Sequence, residues 1–61
     1  MLRFGRKKQQ RIIVGSGPQK IVIEILEIGS QQVQLGITGP REVPVNREEV
    51  FVREFPDDKL D

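Results

Sequence analysis

Cysteine and histidine are both missing from the 61 residues of this chain, and so are tryptophan and tyrosine. Without cysteine there is no disulfide and no thiolate-held metal. Without histidine the commonest metal ligand and proton shuttle is gone. An enzyme has little left to work with. Ser16 and Ser30 fall in turns with no partner base. Glu24 and Glu27 are three apart, so a regular strand would point them to opposite faces. Glu48 and Glu49 read as residues that begin a helix, where acids complement the dipole. Gly15-Ser16-Gly17 is not followed by the Gly-Lys-Ser/Thr of a phosphate loop. No catalytic residue, metal site or cofactor is expected.

Long apolar runs are absent too. The longest is broken by Glu24 and Glu27, far short of a membrane span. The amino end lacks the apolar stretch of a signal peptide. A cytoplasmic protein with no membrane partner is expected. Only 36% of the residues are hydrophobic. A single domain this small buries a modest share of its surface. With no disulfide or metal to staple it, association with a second copy is the expected source of the missing stability.

What the chain does have is charge, unevenly placed. The net charge is only +1, but residues 1–11 carry Arg3, Arg6, Lys7, Lys8 and Arg11 with no acid. The last eight residues carry Glu54, Asp57, Asp58 and Asp61 against Lys59 alone. A basic amino end suits a polyanion, and an acidic tail suits solvent. Lysines and arginines also guard edge strands against aggregation, and charge alone does not choose between the two roles.

Hydrophobic patterning predicts a mainly β fold of five short strands and one carboxy-terminal helix. Residues 2–7 form a first strand and 7–10 a polar turn. Arg11-Ile12-Ile13-Val14, rich in β-branched residues, forms a second. Gly15-Ser16-Gly17-Pro18 is a strong turn signal. In the run 21–28, Ile21, Ile23 and Ile25 share one face, and Val22, Leu26 and Ile28 share the other with Glu24. Apolar residues on both faces predict a central, covered strand. Val33, Leu35 and Ile37 alternate with Gln34, Gly36 and Thr38, as in a strand with one buried face. Pro44, between Val43 and Val45, marks a fifth strand confined to an edge. Asn46 is the expected helix cap, with Glu49 three residues on and Val45 and Val50 placed as a hydrophobic staple. Phe51 and Phe55 share a helix face. Pro56 stops the helix. Residues 1–55 make one domain, and 56–61 an acidic tail expected to be disordered.

Two residues stand out for binding. Phe4 lies among Arg3, Arg6 and Lys7. It either stacks on a base while the cations take phosphates or belongs to the core. Arg47 sits where a helix begins, the wrong end of the dipole for a cation. It either faces an anionic ligand or pairs with a nearby acid.

The segment Val33-Gln34-Leu35-Gly36-Ile37-Thr38-Gly39-Pro40-Arg41-Glu42-Val43-Pro44-Val45-Asn46-Arg47-Glu48-Glu49-Val50 closely resembles the carbon storage regulator family. That family shows an apolar-x-apolar-Gly strand, a small residue and Pro, Lys or Arg, Glu-Val, and then Arg-Glu-Glu. Met1-Leu2, Arg6-Lys7 and Ile13-Val14-Gly15 fit its first two strands. The matches cover about two-thirds of the chain, in order.

The resemblance implies an intertwined homodimeric β-barrel or sandwich, in which the first strand of one subunit lies beside the fifth of the other. It implies a post-transcriptional regulator that binds GGA motifs in hairpins of mRNA leaders, repressing translation or altering message stability. Small regulatory RNAs with the same motif are implied as partners, and a protein antagonist is left open. By position, Arg6 and Lys7 supply cations, with Arg3 beside them, and Phe4 and Gly5 line the pocket. Gly39, Pro40, Val43 and Val45 form the other wall, with Asn46 and Arg47 contacting RNA from the partner chain.

The chain also departs from the family pattern. Phe4 stands for a usual Leu, Gly5 for Thr, Asn46 for a residue often His, and Gln34 for a common Arg. Gln9-Gln10 replaces a Gly-Glu turn, and about three residues are added between Gly15 and Gln32, at the loop around Gly17-Pro18. The alternative reading is a protein-interaction module of the same fold that no longer binds RNA.

Overall fold

The computed structural model describes residues 1–60. Its centre is an antiparallel sheet of three strands, β1 (Arg11–Val14), β2 (Ile21–Ile28) and β3 (Val33–Thr38), in the order β1-β2-β3. One helix, α1 (Glu48–Glu54), follows a loop. The mainly β class with a carboxy-terminal helix is as expected, and so is the central place of β2. Phe51 and Phe55 do share a face, with ring centroids 5.3 Å apart. Among the described residues no helix is long and apolar enough to cross a membrane.

Of the five expected strands, three form within one chain. Residues 2–7 and 43–45 join no ladder. The reason is positional: β1 and β3 are the two edges of the sheet, and no further strand of the same chain pairs with either. Residues 40–43 instead close a turn, with the Val43 N–H donating to Pro40 O at 3.2 Å.

A bulge in β2 corrects the expected assignment of faces. Ile23 pairs with Ile37 and Ile25 with Leu35, but Glu27 then pairs with Gln34 and Ile28 with Val33. Leu26 is the extra residue. Side chains after a bulge change phase relative to simple alternation. Ile28 therefore joins the face of Ile21, Ile23 and Ile25, and Glu27 joins Glu24. Both acids are matched there by cations. Arg11 Nε lies 3.3 Å from Glu24 Oε1, and Lys8 Nζ lies 3.3 Å from Glu27 Oε1. Gly36 faces Leu26: a β-carbon at Gly36 would sit 3.4 Å from Leu26 Cδ1.

The turn before β1 is anchored on β2 by Gln9 N–H to Ile25 O at 2.7 Å and Ile25 N–H to Gln10 O at 3.0 Å. Gln9 has φ 68°, left-handed backbone that glycine adopts without penalty. Gln9→Gly is expected to raise stability by about 0.5–1 kcal/mol by removing this strain. In a chain this size that is a rise of several degrees in the melting midpoint. An unchanged or lower midpoint in thermal unfolding would refute it.

The helix begins one residue later than expected. Its cap is Arg47, whose carbonyl accepts from the N–H groups of Val50 at 3.1 Å and Phe51 at 3.0 Å, and no side chain caps the end. Asn46 is thus one position too early for its side chain to serve, and Val45 and Val50 are out of staple register. After Phe55 a turn is closed by Asp58 N–H to Phe55 O at 3.1 Å. The last residue of the expected disordered tail, Asp61, lies outside the described residues.

Packing within one chain is thin. Ile25 is the one buried hydrophobic residue among those described, while Ile13, Val14, Ile28, Val33, Leu35, Ile37 and Val45 are all exposed. The accessible surface is 5851 Å², against roughly 4,000 Å² for a compact monomer of this mass. The radius of gyration is 13.2 Å, against about 10.5 Å for a compact chain of this length.

Candidate nucleic-acid interface

Ion pairs to β2 sort the amino-terminal cations into two groups. Lys8 and Arg11 sit opposite Glu27 and Glu24 and are paired with them. Arg3, Arg6 and Lys7 have no acidic partner among the described residues. All three are exposed. Arg6 Nε donates to Gly5 O at 2.8 Å, and Lys7 N–H donates to Gln10 Oε1 at 2.9 Å. These contacts fix the local backbone and leave the charges uncompensated. Unpaired cations on an extended, exposed segment are suited to phosphates.

Phe4 and Arg6 share a shallow recess with Arg11, Ile12 and Ile13. Phe4 is 63% exposed, so within one chain it is not a core residue. Gly5 has nothing within 4 Å of where a β-carbon would stand, which leaves the strip open to an incoming group.

The second group lies beyond β3. Gly39 is packed against the start of β2: a β-carbon there would come 3.2 Å from Ile21 Cγ1. Pro40 and Val43 are half-buried in the turn that follows. Val45 and Asn46 line an open recess of about 630 Å³ between the sheet and α1, together with Ile21, Ile23, Phe51 and Phe55. Arg47 stands outside it. Its Nε is 3.6 Å from Glu49 Oε1, with the two side chains 81% and 68% exposed. An ion pair this open and this long contributes little to stability, so the guanidinium remains available.

The sheet order sets these two groups apart. Residues 3–7 lead into β1 at one edge and 39–47 leave β3 at the other. Sequence reasoning missed Arg11, Ile12 and Ile13, which complete the recess around Phe4. The Arg11↔Glu24 pairing brings them there, and a period of two cannot reveal register between strands. Among the described residues no cluster of acids could hold a metal ion.

Comparison with known proteins points to one class. The chain is 43% identical over 53 residues to the translational regulator CsrA of Lachnospira eligens, covering 87% of this chain and 68% of that protein. It is 43% identical over 51 residues to the translational regulator CsrA of Rhodopirellula baltica, covering 84% and 69%. With the counterpart of Treponema pallidum the identity is 39% over 51 residues, covering 84% and 66%. No solved structure matches the chain significantly. The similarity is thus to translational regulators rather than to enzymes. Residues 1–54 match the model of CsrA, the global regulator protein family, and the chain belongs to that family.

Proposed function

We propose that this protein is an RNA-binding translational regulator that acts as a homodimer. The observation that carries the reading is the family match over residues 1–54. Two structural features support it. Two strand-competent segments, 2–7 and 43–45, lack partners within one chain, and each flanks an open sheet edge. Within the first segment Arg3, Arg6 and Lys7 have no acidic partner among the described residues. In the dimer residues 2–7 of one chain add a strand beside residues 43–45 of the other, giving five-stranded subunits joined in one barrel or sandwich. The two groups that lie apart in one chain then meet across the interface, twice per dimer.

Each site comprises Arg3, Phe4, Gly5, Arg6 and Lys7 of one chain and Gly39, Pro40, Val43, Val45, Asn46 and Arg47 of the other. The ligand is a GGA motif in the loop of an mRNA leader hairpin. Occupying such a site over a ribosome-binding sequence represses translation or alters message life. Small regulatory RNAs with the motif compete for the same groups, and a protein antagonist would act on the same cytoplasmic pool. A mobility shift with a GGA hairpin and a matched hairpin of changed loop sequence tests the reading. Retardation of the GGA hairpin alone is expected. Equal retardation of both, or of neither, refutes sequence-specific RNA binding and leaves the interaction-module alternative.

The side chains of Gly39, Val43, Pro44 and Val45 offer no hydrogen-bonding groups toward a base, whereas an edge backbone has unpaired N–H and C=O groups. Guanine reading is therefore assigned to the main chain. Val43→Ile is expected to keep the preference for GGA within about twofold, since it alters only apolar bulk at a half-buried position. A changed base preference in a competition titration would contradict main-chain reading.

A further inference from the structure

The turn between β1 and β2 places a further cation at the same end of the sheet as Gly39 and Pro40. Val14 pairs with Ile21, and Val22 with Thr38, so residues 15–20 and residues 39–41 leave the sheet side by side. The contact confirming it is tight: a β-carbon at Gly39 would lie 3.2 Å from Ile21 Cγ1. Lys20, immediately before Ile21, is thus level with the start of the 39–47 wall. It is exposed and has no acidic partner among the described residues, and the same holds for Arg41.

The backbone carrying Lys20 is held in place. Gly15 and Gly17 have φ of 78° and 66°, a conformation in which other residues are strained. Pro18 stiffens a 3-10 turn over Gly17–Gln19, closed by Lys20 N–H to Gly17 O at 3.2 Å. A cation on a fixed backbone loses only side-chain freedom when it meets a ligand, so such a contact is preorganised.

We propose that Lys20 is a further RNA-binding residue, one that takes a phosphodiester of the nucleotides flanking the GGA motif and so lengthens the footprint beyond the base-reading wall. The proposal rests on the RNA-binding reading above. A lysine is a compact point charge with no fork for base edges, so Lys20 contributes affinity and salt dependence without base preference.

The test titrates wild type, Lys20→Ala and Lys20→Glu at several salt concentrations against a GGA hairpin with a full stem and against a short single strand bearing GGA alone. Lys59→Ala, in the acidic tail where Asp57 and Asp58 already offset the charge, controls for net charge, and thermal melts control for folding. On the long RNA, Lys20→Ala is expected to weaken binding about three- to tenfold at low salt and to reduce the salt slope by roughly 0.7–0.9 per site, the value of one phosphate contact. Lys20→Glu is expected to weaken it further, and Lys59→Ala to leave the slope unchanged. On the short strand the wild type and Lys20 variants should bind alike. An unchanged slope for Lys20→Ala while the wild type binds, an equal loss with Lys59→Ala, or an equal loss on the short strand overturns the assignment. A wild type that binds neither RNA overturns the RNA-binding reading itself, a separate result.

Discussion

Diluting this protein tenfold is expected to lower its melting midpoint by about 6 °C. The surface left open by one chain exceeds that of a compact monomer by about 1,800 Å², and Ile25 alone among the described hydrophobic residues is buried. Covered by a second copy, a surplus of that size per subunit would fall in the range of obligate homodimers. When folding and association are one event, the unfolded chains gain from dilution and the dimer does not, so the midpoint follows concentration. Each tenfold step shifts the equilibrium by about 1.4 kcal/mol. Set against an unfolding enthalpy near 85 kcal/mol for two such chains, that gives the 6 °C. The measurement is a thermal scan at three concentrations a decade apart, with light scattering at each. A folded monomer at micromolar concentration, with a midpoint indifferent to dilution, would remove the dimer and with it the two-chain site.

Loss of the Arg47 guanidinium is expected to weaken binding of a GGA hairpin by about 1–3 kcal/mol per site, the range for a bidentate contact, while the fold stays intact. The structure sharpens the reason. Arg47 is the cap residue of α1 and makes no capping bond. Serine, threonine, aspartate and asparagine are the residues that stabilise this position, and a cation at the positive end of the helix dipole is disfavoured. Its contact with Glu49, at 3.6 Å and open to water, offers little in return. A local misfit of this kind is the signature of a residue kept for something other than folding. Arg47→Ala should therefore melt within a degree or two of wild type. Arg47→Ser should melt higher, by up to about 1 kcal/mol in stability, and still bind poorly. Arg47→Lys should recover only part of the loss, because an ammonium lacks the planar fork. The decisive comparison is the serine variant, in which stability and affinity are expected to move in opposite directions. A more stable Arg47→Ser protein with wild-type affinity would take Arg47 out of the site.

Strand positions were the part of this fold most open to reading. Arg11–Val14, Ile21–Ile28 and Val33–Thr38 are apolar runs bounded by glycine, proline and glutamine turns, and those signals are local. Relations between strands are not local. The bulge at Leu26 appears only when Gln34 is set against Glu27, which no single run of residues displays, and so Ile28 and Glu27 were assigned to the wrong faces. The helix cap was misplaced by one because Asn46 has the preferred chemistry and Arg47 the position. Residues 2–7 and 43–45 have strand character without a strand, since neither finds a partner among the described residues of one chain. At the candidate site, Arg3, Arg6 and Lys7 could be told from Lys8 and Arg11 only once the structure paired the latter two with Glu27 and Glu24.

The bulge also bears on how this hairpin tolerates change in length. Inserting one residue into a strand ordinarily turns over every side chain that follows. Here the surplus is absorbed at Leu26, and the alternation resumes with Glu27 against Gln34 and Ile28 against Val33. The site works like an expansion joint. Loss of that one residue would leave Ile25 followed by Glu27 in plain alternation, with Glu27 still off the apolar face.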